Sequence, residues 1–288
     1  MKKKILITGA NSYIGKTFEE YMKQWSEEYT VDTVDTIGEE WKQKDFSIYD
    51  VIFHVAGIAH VDTKKASEET KKLYYKVNTD LTIECCKKAK EQGVKQFIFM
   101  SSIIVYGESN SLEKVVITKD TEPSPNGFYG DSKLQAEKGI LPMQSEDFNV
   151  AVLRPPMIYG KGSKGNYPRL AKLAQKSPIF PEFDNQRSML YVGNLCEFIK
   201  NVIDKEENGI LFPQNKEYVR TTDMVKTIAE VHGKKIHTTR IFNPVIKLMS
   251  KKVRIINKVF GSMVYDIEND IVEYQKFDLK NSLIKTEG

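Results

Sequence analysis

Short apolar runs and amphipathic stretches alternate through residues 1–160. Ile5-Leu6-Ile7 is an unbroken apolar run stopped by Thr8-Gly9, and Ile14, Phe18, Tyr21, Met22 and Trp25 then recur at helical spacing. Tyr29 to Asp35 predicts a second strand, and Val51-Ile52-Phe53-His54-Val55-Ala56 a third that ends at Gly57. Leu73, Val77, Leu81, Cys85 and Ala89 mark one face of a long helix that stops at Gly93. Phe97-Ile98-Phe99-Met100 predicts a fourth strand, and a helix from about Phe128 to Ile140 precedes the strand Val150-Ala151-Val152-Leu153. Strands that are apolar throughout are buried on both faces, and the intervening helices supply the cover. The pattern predicts an α/β domain with a doubly wound parallel sheet.

The second half is less regular. Pro155-Pro156 breaks the alternation, and Gly160 to Gly165 holds three glycines and a serine, a loop where the chain leaves the sheet. Leu195, Phe198, Ile199, Val202 and Ile203 give one more amphipathic helix. Asn243 to Phe260 reads as helical and carries Lys247, Lys251, Lys252, Arg254 and Lys258 with no acid. We expect a solvated helix face there, the alternatives being a lid over a diphosphate or a surface that touches anionic lipid. With neither repeats nor a low-complexity linker, the expectation is a smaller C-terminal domain over 161–288, with about 186–205 returning to the first domain.

Composition narrows this picture by exclusion. With 28% charged and 40% hydrophobic residues, the 288-residue chain is neither disordered nor a disulfide scaffold. A dispersed net charge of +4 is no nucleic-acid footprint. No apolar run approaches the ~20 residues of a membrane span. Met1-Lys2-Lys3-Lys4 is followed by too short an apolar run for a signal peptide, so a cytoplasmic protein is expected. Cys85, Cys86 and Cys196 suit neither a disulfide framework nor a metal clip and are expected as buried thiols. His54, His60, His232 and His237 include no H-E-x-x-H pair, and no metal site is expected.

Three motifs carry chemistry. Gly9-Ala10-Asn11-Ser12-Tyr13-Ile14-Gly15 joins the first strand to the first helix, where backbone N–H groups face an anion. Gly9 allows the turn, Gly15 permits close packing, and the Ser12 hydroxyl is placed to donate to a pyrophosphate. Asp35, 20 residues beyond Gly15, stands where an acid accepts from adenosine ribose hydroxyls and repels a 2′-phosphate, which favours NAD over NADP. Asp32 competes for that role from mid-strand. Tyr129 and Lys133 fall at i and i+4 on one helical face. A nearby ammonium favours the phenolate, so the pair is suited to proton transfer at a hydroxyl or carbonyl. Ser101-Ser102-Ile103-Ile104-Val105-Tyr106-Gly107 follows a strand at the carboxyl end of the sheet, where ligands bind.

Taken with His54-Val55-Ala56-Gly57, Asn78, Arg154-Pro155…Tyr159-Gly160 and Arg187-Ser188-Met189-Leu190-Tyr191-Val192, these motifs resemble the NAD-dependent epimerase/dehydratase family of extended short-chain dehydrogenases/reductases, which acts on nucleotide sugars. The family's middle glycine is Ser12 here. The resemblance implies a Rossmann sheet with a smaller substrate domain. It implies Ser102, Tyr129 and Lys133 as catalytic residues. Gly9, Asn11, Ser12, Tyr13, Ile14, Gly15, Asp35, Ala56, Gly57, Asn78 and Lys133 would line the cofactor, NAD with NADP as the alternative. Arg187 would meet the nucleotide diphosphate. The implied partner is a UDP-sugar, with a homodimer as the candidate assembly and neither nucleic acid nor membrane as partner.

Dehydratases of the family carry Asp-Glu directly after the active-site Thr, where this chain has Ile103-Ile104, so loss of water is not expected. Lys95–Ser101, Arg154–Gly160, Asn185–Ser188 and the Tyr274-Gln275 tail resemble reductases of UDP-4-keto-6-deoxy-N-acetylhexosamines, the reading the sequence favours. A UDP-glucose or UDP-N-acetylglucosamine 4-epimerase is the alternative, to which NAD preference points. A non-catalytic NAD(P)-binding sensor or scaffold is the alternative of another class.

Overall fold

In the computed structural model, which describes residues 2–59, 66–108, 111–266 and 273–288, Ile5, Leu6 and Ile7 are fully buried in the first strand, β1 (Lys3–Thr8). His60, one of the four histidines weighed above, lies outside the described residues. β1 pairs in parallel with β2 (Tyr29–Val34) on one side and with β3 (Val51–His54) on the other. β3 pairs with β4 (Gln96–Met100), β4 with the strand Asn149–Leu153, and that strand with Gly209–Leu211, giving six parallel strands. The chain leaves β1 to one side and returns on the other, so the sheet reverses its order between β1 and β3. Open α/β sheets bind ligands at the carboxyl ends of the strands beside such a reversal.

The runs that the sequence marks as apolar are buried on both faces of this sheet, as parallel strands require. Leu6, Ile52, Phe97, Phe99, Val150 and Val152 pack with Cys85, Cys86, Ala89, Ala136 and Ile140 on one face. Phe18 meets Phe53 edge-on at 5.2 Å. All three cysteines are buried and unpaired, and burial pushes their thiols up, that of Cys86 to about 12. Among the described residues no helix is long and apolar enough to cross a membrane.

The long helix predicted through Leu73 and Ala89 is corrected by the structure. It consists of Glu68–Tyr75, a π-helical turn Lys76–Asp80, and Leu81–Glu91. The wider turn shifts the helical phase. Tyr74, Asn78, Thr82, Cys85, Cys86 and Ala89 face inward, and Leu73 is 50% exposed. Such turns cluster at functional positions, and this one carries a fully buried asparagine, Asn78.

By contacts the chain forms two units. The first comprises Met1–Gly107, Pro123–Pro155 and Cys196–Pro213, and the second Glu108–Glu122, Pro156–Leu195 and Gln214–Gly288. The division differs from the boundary read in the sequence: residues 108–122 group with the second unit, and 196–213, not 186–205, return to the first. The reason is long-range pairing, because Lys114–Ile117 forms a two-stranded sheet with Ser262–Tyr265, which no local periodicity announces. Two further parallel pairs build the second unit, Met157–Tyr159 with Met189–Tyr191 and Ile179–Pro181 with His237–Thr239. Tyr159 is fully buried in it, bonded to Ser282 at 2.6 Å and accepting from Asn215 at 3.1 Å.

In the first unit Arg154 and Glu137 are both buried. Arg154 Nη2 donates to Glu137 Oε2 at 2.5 Å, its Nε lies 3.2 Å from both carboxylate oxygens, and its Nη1 donates to Tyr106 Oη at 2.6 Å. Ser101 also donates to Glu137. Removing one partner of a buried pair strands the other without water. Arg154→Met should therefore lower unfolding free energy by about 3–5 kcal/mol. Arg154→Met with Glu137→Leu should recover at least half of that loss. Urea unfolding of the three proteins checks this, and a loss under about 1 kcal/mol for the single variant would show that the pair is dispensable.

Candidate active site

The turn after β1 is built around Gly9. Its φ is +99°, and a Cβ there would lie 2.7 Å from the Ala56 nitrogen and 2.9 Å from its Cα. Only glycine combines that backbone with so close a neighbour. Gly9 N donates to Val34 O at 2.9 Å, and Ser12 N to Gly9 O at 2.9 Å. Ser12 is the N-cap of α1 (Tyr13–Met22), its Oγ accepting from Gly15 N at 3.0 Å. A Cβ on Gly15 would sit 2.6 Å from that oxygen. Ser12 thus does a structural task that the sequence reading missed, and its hydroxyl proton is left to donate. Tyr13 and Ile14 begin the first turn, which contains no acid, so the positive end of the helix is uncompensated and suits an anion.

Asp35 follows β2 directly. Its Oδ1 accepts from Ile37 N at 3.0 Å and its Oδ2 from Asn11 Nδ2 at 2.8 Å. These bonds, the backbone one first, hold its carboxyl below the usual range, so it is ionised at neutral pH. Asp32 is exposed on β2 and accepts from Tyr49 Oη at 2.7 Å. A turn closed to any Cβ, an acid-free helix start and an ionised carboxylate beyond β2 together fit a dinucleotide.

Ala56 and Gly57 follow β3. A Cβ on Gly57 would approach Asn78 Oδ1 to 3.0 Å and Lys133 Nζ to 3.1 Å. The Asn78 amide accepts from Ile58 N at 2.9 Å and donates to Ile58 O and Ser132 Oγ, both at 3.1 Å. Lys133 Nζ donates to Met100 O at 2.9 Å and lies 4.7 Å from the centre of the Phe99 ring. Gly57, Asn78 and Lys133 therefore meet, although 76 residues separate the first from the last in sequence.

Tyr129 and Ser102 meet as well, close enough for the Ser102 side chain to pull the phenol's pKa down. The contact depends on Gly130, where a Cβ would lie 2.6 Å from Ile104 O. That close approach brings the Phe128–Ile140 helix onto the 3₁₀ turn Ile103–Tyr106, which Ser102 caps. Gly130 and Glu137 went unrecognised in the sequence. The available signal was spacing, since Tyr129, Lys133 and Glu137 fall at i, i+4 and i+8 on one stripe.

The electrostatics correct one expectation. Lys133 was expected to lower the Tyr129 pKa. Instead burial, with the Tyr74 ring beside it, pushes the phenol up to about 12 against the pull of Ser102. Burial also draws the Lys133 ammonium down to about 8, opposed by Glu137. From the chain's own groups, Tyr129 is a protonated phenol at neutral pH, and it needs further positive charge to act as a base.

Arg187 belongs to the second unit. Its backbone bridges Val219 and Met263, and its guanidinium donates to Lys258 O. Burial lowers its pKa, and among the described residues no carboxylate pairs with it.

The model of the NAD-dependent epimerase/dehydratase family matches residues 5–212. The chain is 30% identical to a UDP-glucose 4-epimerase of Vibrio cholerae over 294 residues, covering 93% of this chain and 89% of that protein. It is 31% identical over 199 residues to an N-acetyl-alpha-D-glucosaminyl-diphospho-ditrans,octacis-undecaprenol 4-epimerase of Escherichia coli O157:H7, covering 66% of this chain and 58% of that one. Among solved structures, a Bacillus cereus UDP-glucuronic acid 4-epimerase in complex with NAD superposes with a TM-score of 0.74 at 19% identity, covering 99% of this chain and 95% of that one. A Bacillus anthracis dTDP-4-dehydrorhamnose reductase in complex with NADP gives 0.71 at 18%, covering 99% and 98%. At those identities the two structures show a shared fold.

Two predictions follow from the geometry. Asp35→Ala should narrow the preference for NAD(H) over NADP(H) by at least about tenfold, since one removed repulsion is worth over ~1 kcal/mol. Fluorescence titration with both cofactors checks it, and a wild-type preference for NADPH would dismiss the assignment of Asp35. Lys133→Met should stabilise the protein measured without cofactor at pH 7. The lowered pKa implies a burial cost of up to about 3 kcal/mol, less about 1 for the lost bond to Met100. Below about pH 8 folded and unfolded chains both carry the proton, and the cost is fully present. It is relieved as pH rises from about 8 towards the ordinary 10.5, so the advantage of the variant should fade over that window. Thermal melts across that range decide the matter.

Proposed function

The chain belongs to the NAD-dependent epimerase/dehydratase family, and from that premise we propose that it inverts C4 of a UDP-hexose or UDP-N-acetylhexosamine, using NAD. It is an enzyme of the short-chain dehydrogenase/reductase type that acts in nucleotide-sugar chemistry. The observation that carries the finer reading is Asp35, ionised and fixed beyond β2 by Asn11 and Ile37. A carboxylate there opposes the 2′-phosphate of NADP. A 4-epimerase needs the oxidised cofactor only to be regenerated within each cycle, which NAD serves. The extent of likeness to the Vibrio cholerae relative supports the same choice.

Bound NAD would supply a hydride acceptor and a positive charge beside Tyr129. Gly9, Ser12, Gly15 and the first turn of α1 would hold its pyrophosphate, and Asp35 its adenosine ribose. Asn78 and Lys133 would stand at the nicotinamide end. Tyr129 removes the proton of the sugar's C4 hydroxyl and later returns a proton to that same oxygen, while Ser102 hydrogen-bonds it. One acid–base group suffices because both proton transfers occur at one atom. Elimination of water would need a second acid–base group, and Ile103 and Ile104, which follow Ser102 in the 3₁₀ turn, have none. Arg187, a cation without a carboxylate partner among the described residues, suits the diphosphate through paired charge-assisted bonds.

Reduction of a UDP-4-keto-6-deoxy-N-acetylhexosamine is the second reading, favoured by Lys95–Ser101, Arg154–Gly160 and Asn185–Ser188. The reading as a non-catalytic sensor is disfavoured by Ser102 and Tyr129 standing together beside Lys133. NMR of products from UDP-glucose, UDP-N-acetylglucosamine and the 4-keto sugar separates these readings. The name of the E. coli relative adds a polyprenyl-diphosphate sugar as a fourth substrate to try. We expect C4 inversion with no net change in NADH. Tyr129→Phe should slow it by about 10²–10⁴-fold and leave NAD affinity within a few-fold. Consumption of NADH with the 4-keto sugar alone would establish the reductase. A 4-keto-6-deoxy product from a plain hexose would sink both.

A further inference from the structure

Residues 231–265 contain eight lysines and arginines and no acid, so the rest of the chain carries a net charge of −4 against +4 for the whole. The helical stretch read in the sequence as one piece is two helices in this segment, Asn243–Ser250 and Arg254–Phe260. Ile246 faces inward at 7% exposure. The opposite side is apolar, with Ile241 75% exposed, Val245 53% and Leu248 73%. Val245 and Leu248, at i and i+3, share one face of the Asn243–Ser250 helix, and Ile241 stands in the turn that leads into it. Phe242, Met249 and Ile255 extend it, so six of the fifteen large exposed apolar side chains among the described residues fall within fifteen positions. A solvated charged face accounts for the lysines but not for Leu248.

Around this face Lys247, Lys251 and Lys252 are exposed and have no carboxylate partner among the described residues. Lys258 and Arg240, by contrast, pair with Glu108 and Glu182. The composition distinguishes between occupants. Cores of protein interfaces are enriched in Tyr, Trp and Arg and depleted of Lys. This patch is mainly aliphatic and bordered by lysines, whose long stems reach along apolar surface while the ammonium stays wet. Aliphatic residues on one face and lysines beside them are what an interfacial helix presents to a bilayer with negative headgroups.

We propose that the exposed face formed by Ile241, Val245, Leu248 and their flanking lysines docks this protein on an anionic lipid surface. The apolar side chains enter the headgroup boundary, and Lys247, Lys251 and Lys252 meet lipid phosphates. The chain then works as a peripheral protein at a membrane, contrary to the expectation from its sequence. The inference does not rest on the identity of the sugar substrate.

The full chain should co-sediment with vesicles of phosphatidylglycerol and phosphatidylethanolamine and not with vesicles of phosphatidylcholine. The triple variant Lys247→Gln, Lys251→Gln, Lys252→Gln should bind about 100-fold more weakly, at roughly fivefold per lysine near an anionic surface. Added salt should weaken wild-type binding in the same direction. Val245→Glu with Leu248→Glu should weaken it by more than about tenfold while keeping the wild-type melting curve and NAD affinity. Absence of wild-type binding to anionic vesicles at low salt overturns the proposal, as does binding indifferent to the glutamate pair. So does sedimentation showing a dimer that Leu248→Glu dissociates, because the face would then belong to a second copy of the chain.

Discussion

Desolvation of one helical stripe governs the active site. Tyr129, Lys133 and Glu137 stand one above another on the Phe128–Ile140 helix, and each carries a group that water would otherwise solvate. Glu137 accepts hydrogen bonds from Arg154 and Ser101. Lys133 has only the Met100 carbonyl and an aromatic face, and its ammonium is weakened accordingly. Tyr129 has Ser102, which offsets only part of the burial. The stripe thus grades from a carboxyl group held by Arg154 and Ser101 to a phenol whose burial Ser102 offsets only in part. Added positive charge beside Tyr129 would complete the set.

The same economy shapes the cofactor side. Gly9, Gly15 and Gly130 each occupy a point where neighbouring atoms come so close that a Cβ would collide, and at Gly57 a Cβ would be tightly crowded by Asn78 and Lys133. Three of these contacts pull the ends of β1 and β3, the start of α1 and the Asn78 turn towards the reversal point of the sheet. The fourth seats the Phe128–Ile140 helix on the Ser102 turn. Ser12 illustrates how a departure from the family's glycine is accommodated: its oxygen caps the helix through Gly15 N, and its backbone remains extended.

Charge is distributed unevenly between the tasks. Arg187, in the second unit, donates to the Lys258 carbonyl, and desolvation lowers its pKa. The lysines near Leu248 are instead fully exposed beside an apolar face. A buried cation selects one ligand by geometry, whereas exposed cations attract a surface of opposite sign and respond to salt.

The parallel sheet is legible in the residues alone, because unbroken apolar runs such as Ile5-Leu6-Ile7 and Phe97–Met100 fit a sheet covered on both faces. The turn after β1 is legible there too, since Gly9 and Gly15 at that spacing admit close backbone approach, and so is the helix that carries Tyr129 and Lys133. The remainder depends on packing between distant parts of the chain. The π-helical turn that sends Asn78 inward alters a phase that periodicity assumes constant, so Leu73 was misread as core. The pairing of Lys114–Ile117 with Ser262–Tyr265 depends on contacts far apart in the chain and moved the unit boundary. Whether Lys133 would lower the Tyr129 pKa could not be read from spacing, because an ammonium four residues away acts through the dielectric around it. That dielectric is set by burial, which only the packed structure supplies.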